Sequence, residues 1–240
     1  MWLCPKSNTA IHDKLTVLMR SLSTLFPGQP PKIEPHITIT GDIQMNLEDS
    51  ETSRDEVYRI LSASVVAVNS LPKNHSNLIT LGNLDSLRRY YKKLYFNVEK
   101  DPNLISFATI IRELFVELPK VTPTSNNSES STTYTTTSGD TTSLQQDSSN
   151  ADPKKIAQER AQRWGNNEYD PYLCLVYSDI YPIDSALWRT VRTRVQDYLN
   201  INDVADILDH KLGWQNGELK LVLCEGEVHE WVVLGSVDLH

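Results

Sequence analysis

Amphipathic helix patterns alternate with short strand patterns along most of the chain, and this alternation restricts the fold more than any other feature. Four stretches repeat apolar residues every three or four positions, the spacing that gives a helix one buried face. Pro27-Gly28 ends the first stretch, while Asp101-Pro102 and Asp184 are helix-start signals for the third and fourth. The four stripes run through Ile11 to Leu25, Val57 to Val68, Leu104 to Leu118 and Leu187 to Tyr198.

Six strand patterns lie between the helix patterns, enriched in β-branched or aromatic residues and bounded by Gly, Pro, Asn or Asp. No glycine-rich phosphate loop follows any of them, which excludes the Rossmann and P-loop classes. We therefore expect an α+β protein with sheet and helix layers, forming one domain over residues 1–240. The strand patterns are Lys32 to Thr40, Leu78 to Leu81, Leu94 to Val98, Leu173 to Tyr177, Leu219 to Cys224 and Trp231 to Val237.

Residues 122–150 differ in composition from the rest of the chain. They hold 17 Ser or Thr among 29 positions and no Lys or Arg, and their only large apolar side chains are Tyr134 and Leu144. Such a segment buries too little surface to offset its ordering entropy, so we predict a disordered insertion. A tolerated surface insertion and a phosphorylated regulatory tract are both consistent with this composition.

Charge and cysteine content exclude several function classes. The formal net charge of -8 argues against a general binder of large nucleic acids, which needs a basic face. The apolar runs are far shorter than the roughly 20 residues needed to span a bilayer, so we expect no membrane span. The 3 cysteines lack the spacing of a zinc site or a disulfide framework and indicate reduced intracellular thiols, although a single disulfide is compatible with the spacing.

Two short segments carry residues suited to acid–base chemistry. In the pattern Pro35-His36-Ile37-Thr38, the side chains of His36 and Thr38 share one face of an extended strand. An imidazole can move a proton near neutral pH, and a hydroxyl two residues away can donate to an anionic oxygen. By itself the triplet also fits a half-buried strand with an incidental histidine. Tyr172 and Cys174 share a strand face in the same way.

Several ordered segments together resemble one family. They extend from the first residues to the last, apart from the insertion, and are similar to the 2H phosphoesterase superfamily, specifically the fungal 2',3'-cyclic-nucleotide 3'-phosphodiesterases. A run of matches in order is more specific than a single triplet. The matching segments are Trp2-Leu3-Cys4-Pro5, Thr24-Leu25-Phe26-Pro27, Pro35-His36-Ile37-Thr38, Arg112-Glu113 with Val116-Glu117, Leu175 to Asp179 with Pro182, and Cys224-Glu225-Gly226 with Trp231 and Gly235.

The resemblance implies a bilobal fold in which two antiparallel sheets face each other across a cleft, with helices outside. It implies hydrolysis of a nucleoside 2',3'-cyclic phosphate, or of ADP-ribose 1'',2''-cyclic phosphate, to a phosphomonoester without a metal or other cofactor. It also implies a small cyclic nucleotide as the substrate and links to tRNA-splicing by-products and to the Golgi. We further expect a monomer and a soluble intracellular, cytoplasmic protein. The implied catalytic residues are His36 and Tyr172, and the implied substrate-binding residues are Thr38, Cys174 and Tyr177.

The second motif departs from the family pattern. Tyr172 occupies the position of the second histidine, and Cys174 occupies that of the hydroxyl residue. A phenol with a pKa near 10 is a poor base at neutral pH, and a thiol is a weak donor. This leaves a second hypothesis, a catalytically impaired protein that binds nucleotides or cyclic phosphates, and a third, an interaction protein that acts through residues 122–150.

The remaining features leave alternatives open. The parity of Tyr177 is opposite to that of Tyr172, so a bend or bulge is needed to bring both to one face. The basic aromatic segment Arg88 to Lys93 fits either a solvated face or a surface that steers an anion and stacks a base.

Overall fold

A computed structural model describes residues 1–45, 50–72, 77–122, 152–179 and 182–240 of the chain. The fold is α+β, as predicted, with helices packed against an antiparallel sheet. Residues 123–150 lie outside the described residues, so the insertion stays a prediction. No helix within the described ranges is long and apolar enough to cross a membrane.

Eight strands form one sheet in which every described pairing is antiparallel. Its spatial order is β6-β3-β4-β5-β2-β1-β7-β8. The strands are β1 (Trp2–Pro5), β2 (Ile37–Thr38), β3 (Ile79–Asp85), β4 (Leu94–Val98), β5 (Tyr172–Val176), β6 (Gly213–Trp214), β7 (Gly217–Leu223) and β8 (Val232–Asp238).

The expectation of two separate sheets is not confirmed, because β2 and β5 join the two halves of the sheet. The junction is one pair of Cα partners, Ile37 and Leu173. Both side chains are fully buried. Their neighbours along each strand therefore face the opposite side of the sheet, since side chains alternate along a strand. The candidate site residues belong to this opposite face.

Helices cover the sheet through the predicted apolar stripes. Each fully buried Leu or Ile side chain contributes about 1.5–3 kcal/mol relative to an exposed one. The side chains of Asp101 and Asp184 accept hydrogen bonds from the first turns of the helices that begin at Pro102 and Ser185, which confirms both capping signals. The helices are α1 (Ala10–Ser23), α2 (Ser50–Asn69), α3 (Pro102–Arg112), α4 (Leu118–Val121), α5 (Pro153–Asn167) and α6 (Ser185–Leu199).

A π-helical segment, Glu113–Glu117, connects α3 to α4. In a π-helix, residues five apart lie on one face, and Arg112 Nε consequently reaches Glu117 Oε1 at 3.1 Å. Glu117 is buried. The ion pair fixes the guanidinium of Arg112 next to the sheet.

The first predicted strand is shorter than expected. Only Ile37–Thr38 of the segment from Lys32 to Thr40 pairs as a strand. Pro30, Pro31 and Pro35 precede it, and prolines cannot donate to a ladder of hydrogen bonds. His36 therefore lies just before the strand, at the end of an irregular segment.

Candidate active site

One cleft of about 680 Å³ collects most of the predicted site residues. His36, Thr38, Tyr172 and Tyr177 all line it. The register explains the convergence. Ile37 and Leu173 are partners, and continuing the antiparallel register places Thr38 opposite Tyr172 and His36 opposite Cys174.

His36 is held in one orientation by two neighbours. Its ring stacks on the indole of Trp2, with centroids 3.8 Å apart and an interplanar angle of 11°. Its Nδ1 lies 2.7 Å from the carbonyl oxygen of Glu34. Because a carbonyl oxygen only accepts, Nδ1 carries the hydrogen and Nε2 is the basic nitrogen of the neutral ring.

The surroundings of His36 favour the neutral imidazole. Burial lowers the pKa of His36 to about 4, against a partial opposing effect of its hydrogen bond to Glu34. At pH 7 the ring is therefore unprotonated and able to accept a proton. Lys220 in turn holds the carboxylate of Glu34, with Nζ at 2.7 and 2.8 Å from the two oxygens.

Tyr172 is half-buried and contacts a cation. Lys92 Nζ lies 4.3 Å from the centroid of the Tyr172 ring and forms an ion pair of 2.6 Å with Asp170. Burial is the main reason that the pKa of Tyr172 is raised to about 12. At neutral pH its hydroxyl is therefore protonated and can donate a hydrogen bond, but it cannot act as a base.

Tyr177 reaches the same cleft as Tyr172 because β5 contains a bulge. Leu94 pairs with Val176 and Tyr95 pairs with Cys174, so one step along β4 corresponds to two steps along β5. The extra residue reverses the side-chain parity beyond it, as the predicted bulge requires. Burial raises the pKa of Tyr177 above its usual range, so this phenol is also a neutral donor.

Cys174 is the one predicted site residue that the structure does not bring to the cleft lining. It is buried, and its Sγ lies 3.3 Å from the carbonyl oxygen of Val176 and 3.5 Å from that of Leu94. Burial raises its pKa to about 12, so the group is a neutral thiol turned toward backbone carbonyls. Its substrate-binding role stays a prediction that this geometry does not favour.

Three further aromatic side chains line the cleft, and none of them is among the site residues predicted from the sequence. Trp2 lies in β1, Tyr91 in a short 3₁₀ turn between β3 and β4, and Trp231 is the residue before β8. Trp231 lies 5.9 Å from Trp2 and 6.0 Å from Tyr91 between ring centroids. Tyr91 belongs to the basic aromatic segment, and the interleaving of basic and aromatic residues there is the sequence signal that could have placed it here.

The basic aromatic segment is not a uniformly solvated face. Lys93 is almost fully buried, whereas Tyr91 is 48% exposed and faces the cleft. Among the histidines in the described ranges, only His36 lines the cleft. His75 lies outside those ranges. Within the described part of the chain, no three side chains of metal-ligating type cluster together.

Comparison with known proteins places this geometry in a family. The family model described as cyclic phosphodiesterase-like protein matches residues 1–239. A relative from Debaryomyces hansenii is 56% identical, with 93% of this chain and 99% of the relative covered. A Candida albicans relative is 49% identical, with 100% and 98% covered, and a Saccharomyces cerevisiae relative is 26% identical with the same coverage.

All three relatives carry the name 2',3'-cyclic-nucleotide 3'-phosphodiesterase. Each similarity extends over nearly the full length of both chains. These findings confirm the resemblance stated from the sequence. The chain belongs to the cyclic phosphodiesterase-like protein family of 2H phosphoesterases.

Proposed function

We propose that the chain hydrolyses nucleoside 2',3'-cyclic phosphates to phosphomonoesters. The observation that carries this proposal is the convergence of His36, Thr38, Tyr172 and Tyr177 on one cleft. Its volume of about 680 Å³ falls within the range of small-molecule sites, about 300–1,000 Å³. The names of the full-length relatives support the same reaction.

His36 acts as the general base in the proposed reaction. Its Nε2 accepts a proton from the attacking water while the water oxygen bonds to phosphorus. The lowered pKa keeps Nε2 unprotonated at neutral pH. A bound anion favours the imidazolium, so the pKa of His36 rises when the phosphate enters the cleft.

Tyr172 acts as the hydrogen-bond donor to the leaving oxygen. As the bond from phosphorus to the ribose 3' oxygen breaks, the Tyr172 hydroxyl gives its proton to that oxygen, which becomes a hydroxyl. The Tyr172 phenolate then regains a proton from solvent, to which the His36 imidazolium returns the proton that it took from water. The raised pKa of Tyr172 keeps its hydroxyl protonated for this role. The two groups therefore divide the acid and base roles, because their surroundings push their pKa values in opposite directions.

Thr38 and Tyr177 hold the phosphoryl oxygens. The exposed hydroxyl of Thr38 and the phenol of Tyr177 are neutral donors that line the cleft. Donors aimed at oxygens that gain charge in the transition state lower the barrier more than they strengthen substrate binding. The proposed steps require no metal or cofactor.

The alternative of a catalytically impaired binding protein is not supported by the comparisons. The relatives that match this chain over its whole length are named as enzymes. The tyrosine at position 172 replaces the second histidine of the family pattern, but its phenol is still a proton donor. The site therefore keeps a general acid of different chemistry. A slower reaction than that of a site with two histidines is the expected consequence.

Five more detailed expectations from the sequence analysis are part of this proposal. They are two facing lobes of the sheet, action on ADP-ribose 1'',2''-cyclic phosphate, a link to tRNA-splicing by-products, a monomeric state and a cytoplasmic or Golgi location. Of these, the turnover assay tests only the action on ADP-ribose 1'',2''-cyclic phosphate. A second substrate arm with ADP-ribose 1'',2''-cyclic phosphate tests the broader substrate range.

The test is turnover of 2',3'-cyclic AMP followed by ³¹P NMR, which separates the cyclic diester from the 2' and 3' monoesters. We expect one monoester from the wild-type chain and a loss of about 10²-fold or more in His36→Ala. His210→Ala is the matched control, because His210 is exposed and outside the cleft lining. Binding of the nucleotide without turnover would replace the proposal with the impaired alternative.

A further inference from the structure

Three side chains behind the cleft form a contact network that the proposed reaction does not use. We call Arg112, Trp164 and Tyr169 the rear cluster. The Arg112 guanidinium carbon lies 4.5 Å from the centroid of the Trp164 ring. The rings of Trp164 and Tyr169 lie 4.8 Å apart, with an interplanar angle of 37°.

The rear cluster ends on the strand that carries Thr38. The hydroxyl of Tyr169 donates to the backbone carbonyl oxygen of Thr38 at 3.2 Å. Tyr169 is 5% exposed, and burial raises the pKa of its phenol, so the hydroxyl stays a donor. Arg112 also donates to the hydroxyl of Thr40, another residue that lines the cleft, at 3.4 Å.

Local contacts fix the backbone of each member of the rear cluster. The π-helical turn holds Arg112 against Glu117. The backbone N–H of Tyr169 donates to the carbonyl oxygen of Trp164 at 2.9 Å, which closes the end of α5. At Gly165, an added Cβ would lie 2.2 Å from Thr109 Oγ1, so the glycine allows α5 to pack closely on α3.

Thr38 needs such support because its strand is short. β2 has only two residues; it pairs with β5 through a single Cα pair and with β1 through two, Thr38 with Trp2 and Ile37 with Leu3. A ladder this short restrains a peptide less than a full-length strand does. A displacement of about 1 Å at a catalytic position can cost about 10²-fold in rate, so a small movement of the Thr38 peptide matters for its hydroxyl.

We propose that Tyr169 is a positioning residue that sets the location of the Thr38 hydroxyl in the cleft, and that Trp164 and Arg112 hold its phenol in place. This inference rests on the proposed function. It assigns to the Tyr169 hydroxyl an effect on transition-state binding that passes through Thr38. A purely structural role would instead lower stability and leave turnover per folded molecule unchanged.

The test is a double-mutant cycle of Tyr169→Phe and Thr38→Val on turnover of 2',3'-cyclic AMP. Tyr169→Phe removes one hydroxyl, and we expect kcat to fall about tenfold with KM changed less than about twofold. In the Thr38→Val background the same change should alter kcat by less than about twofold, because the hydroxyl it positions is gone. Independent, multiplicative effects of the two substitutions would overturn the proposal.

Two controls separate positioning from general destabilisation. Ile60→Val weakens the buried core away from the cleft, and Tyr58→Phe makes the same chemical change at a side chain that is 75% exposed. Neither should change kcat. Trp164→Phe should reproduce part of the loss seen in Tyr169→Phe. If Trp164→Phe and Tyr169→Phe both keep the wild-type kcat, the proposal is wrong.

Failure of the proposed function has a different signature. A wild-type chain that binds 2',3'-cyclic AMP by calorimetry but does not turn it over overturns the hydrolysis proposal alone. The same cycle measured on the dissociation constant then tests the positioning role, with coupling between Tyr169 and Thr38 expected. Additive effects on that constant, or no binding by the wild type, overturn the positioning role as well.

Discussion

The two strands that meet at the centre of the sheet differ in their chemistry more than in their backbone. His36 lies just before β2 and Thr38 is its last residue, while β5 carries Tyr172 and Cys174. Ile37 and Leu173 pair between them, and both are fully buried. The same alternation therefore presents two polar positions from each strand to the cleft side.

The side chains at these positions differ between the two strands. His36 is stacked on Trp2 and keeps a free basic nitrogen, and Thr38 is exposed in the cleft. Tyr172 keeps a neutral phenol beside Lys92, and the thiol of Cys174 turns to backbone carbonyls. The buried pair of Ile37 and Leu173 thus fixes the backbone positions of the two strands, while the polar residues on the other face can differ. We call His36 with Thr38 the first half-site and Tyr172 with Cys174 the second half-site.

The largest expected effect comes from restoring the second half-site. We predict that Tyr172→His with Cys174→Ser raises kcat at least tenfold, toward the 10²–10⁴-fold that a general acid–base group supplies. Histidine brings a reference pKa of about 6.5 to a position already framed by Leu173. Because Cys174 does not line the cleft, Tyr172→His alone should give most of the gain. Steady-state turnover of 2',3'-cyclic AMP measures it.

The control is His36→Ala in the restored background, which should remove most of the gain because the two groups act as a unit. If the double variant folds, binds nucleotide and turns over no faster, Tyr172 is not the position of the leaving-group acid. A gain that appears only with Cys174→Ser would show that residue 174 reaches the ligand.

The second prediction concerns acid stability, where the half-sites should differ. The folded-state pKa of His36, about 4, lies below its ordinary value of 6.5. Its contribution to the free energy of unfolding is therefore complete above pH 6.5 and is lost as the pH falls toward 4. At 1.36 kcal/mol per pKa unit, the loss is about 3 kcal/mol. Urea denaturation at pH 7, 5.5 and 4 measures it.

His36→Gln keeps a neutral donor for the Glu34 carbonyl and should lose about 3 kcal/mol less than the wild type over this range. Tyr172→Phe is the matched variant in the other half-site. Tyr172 stays neutral at these pH values, so this variant should follow the wild-type pH dependence. Parallel curves for the wild type and His36→Gln would show that the buried imidazole does not govern acid stability.

Large aliphatic stripes made the helices α1, α2, α3 and α6 predictable, but the same criterion missed α5. The buried positions of α5 are Ala157, Ala161 and Gly165, whose small side chains leave no hydrophobic periodicity in a polar segment. The signal that could have found it is Asp152-Pro153. The Asp152 side chain accepts from the backbone of Lys154, the same start that was recognised at Asp101-Pro102.

Some features of the candidate site could likewise be predicted from the sequence, and others could not. The face shared by His36 and Thr38 follows from strand alternation. Alternation places Tyr177 opposite to Tyr172, so its predicted role rests on the family resemblance, which requires a bend or bulge there. The stacking of Trp2 on His36 depends on the pairing of β1 with β2, a contact between distant segments that residue spacing does not encode. The orientation of the Cys174 thiol likewise depends on the neighbouring strand, through the Leu94 carbonyl.

The smallest predicted effect tests the cation beside the second half-site. Lys92 and Lys100 both pair with Asp170, but only Lys92 also lies over the Tyr172 ring. A cation over an aromatic face contributes about 0.5–2 kcal/mol, so Lys92→Met should lower the free energy of unfolding by about 1 kcal/mol and kcat about two- to threefold. Lys100→Met also removes a positively charged partner of Asp170, but this lysine is more exposed than Lys92. The variant should therefore keep the wild-type free energy of unfolding and the wild-type kcat within error. Chemical denaturation and steady-state turnover of the two variants, measured side by side, give the comparison. Equal losses of stability and of kcat in both variants would assign the effect to the ion pairs with Asp170, and not to the contact of Lys92 with the Tyr172 ring.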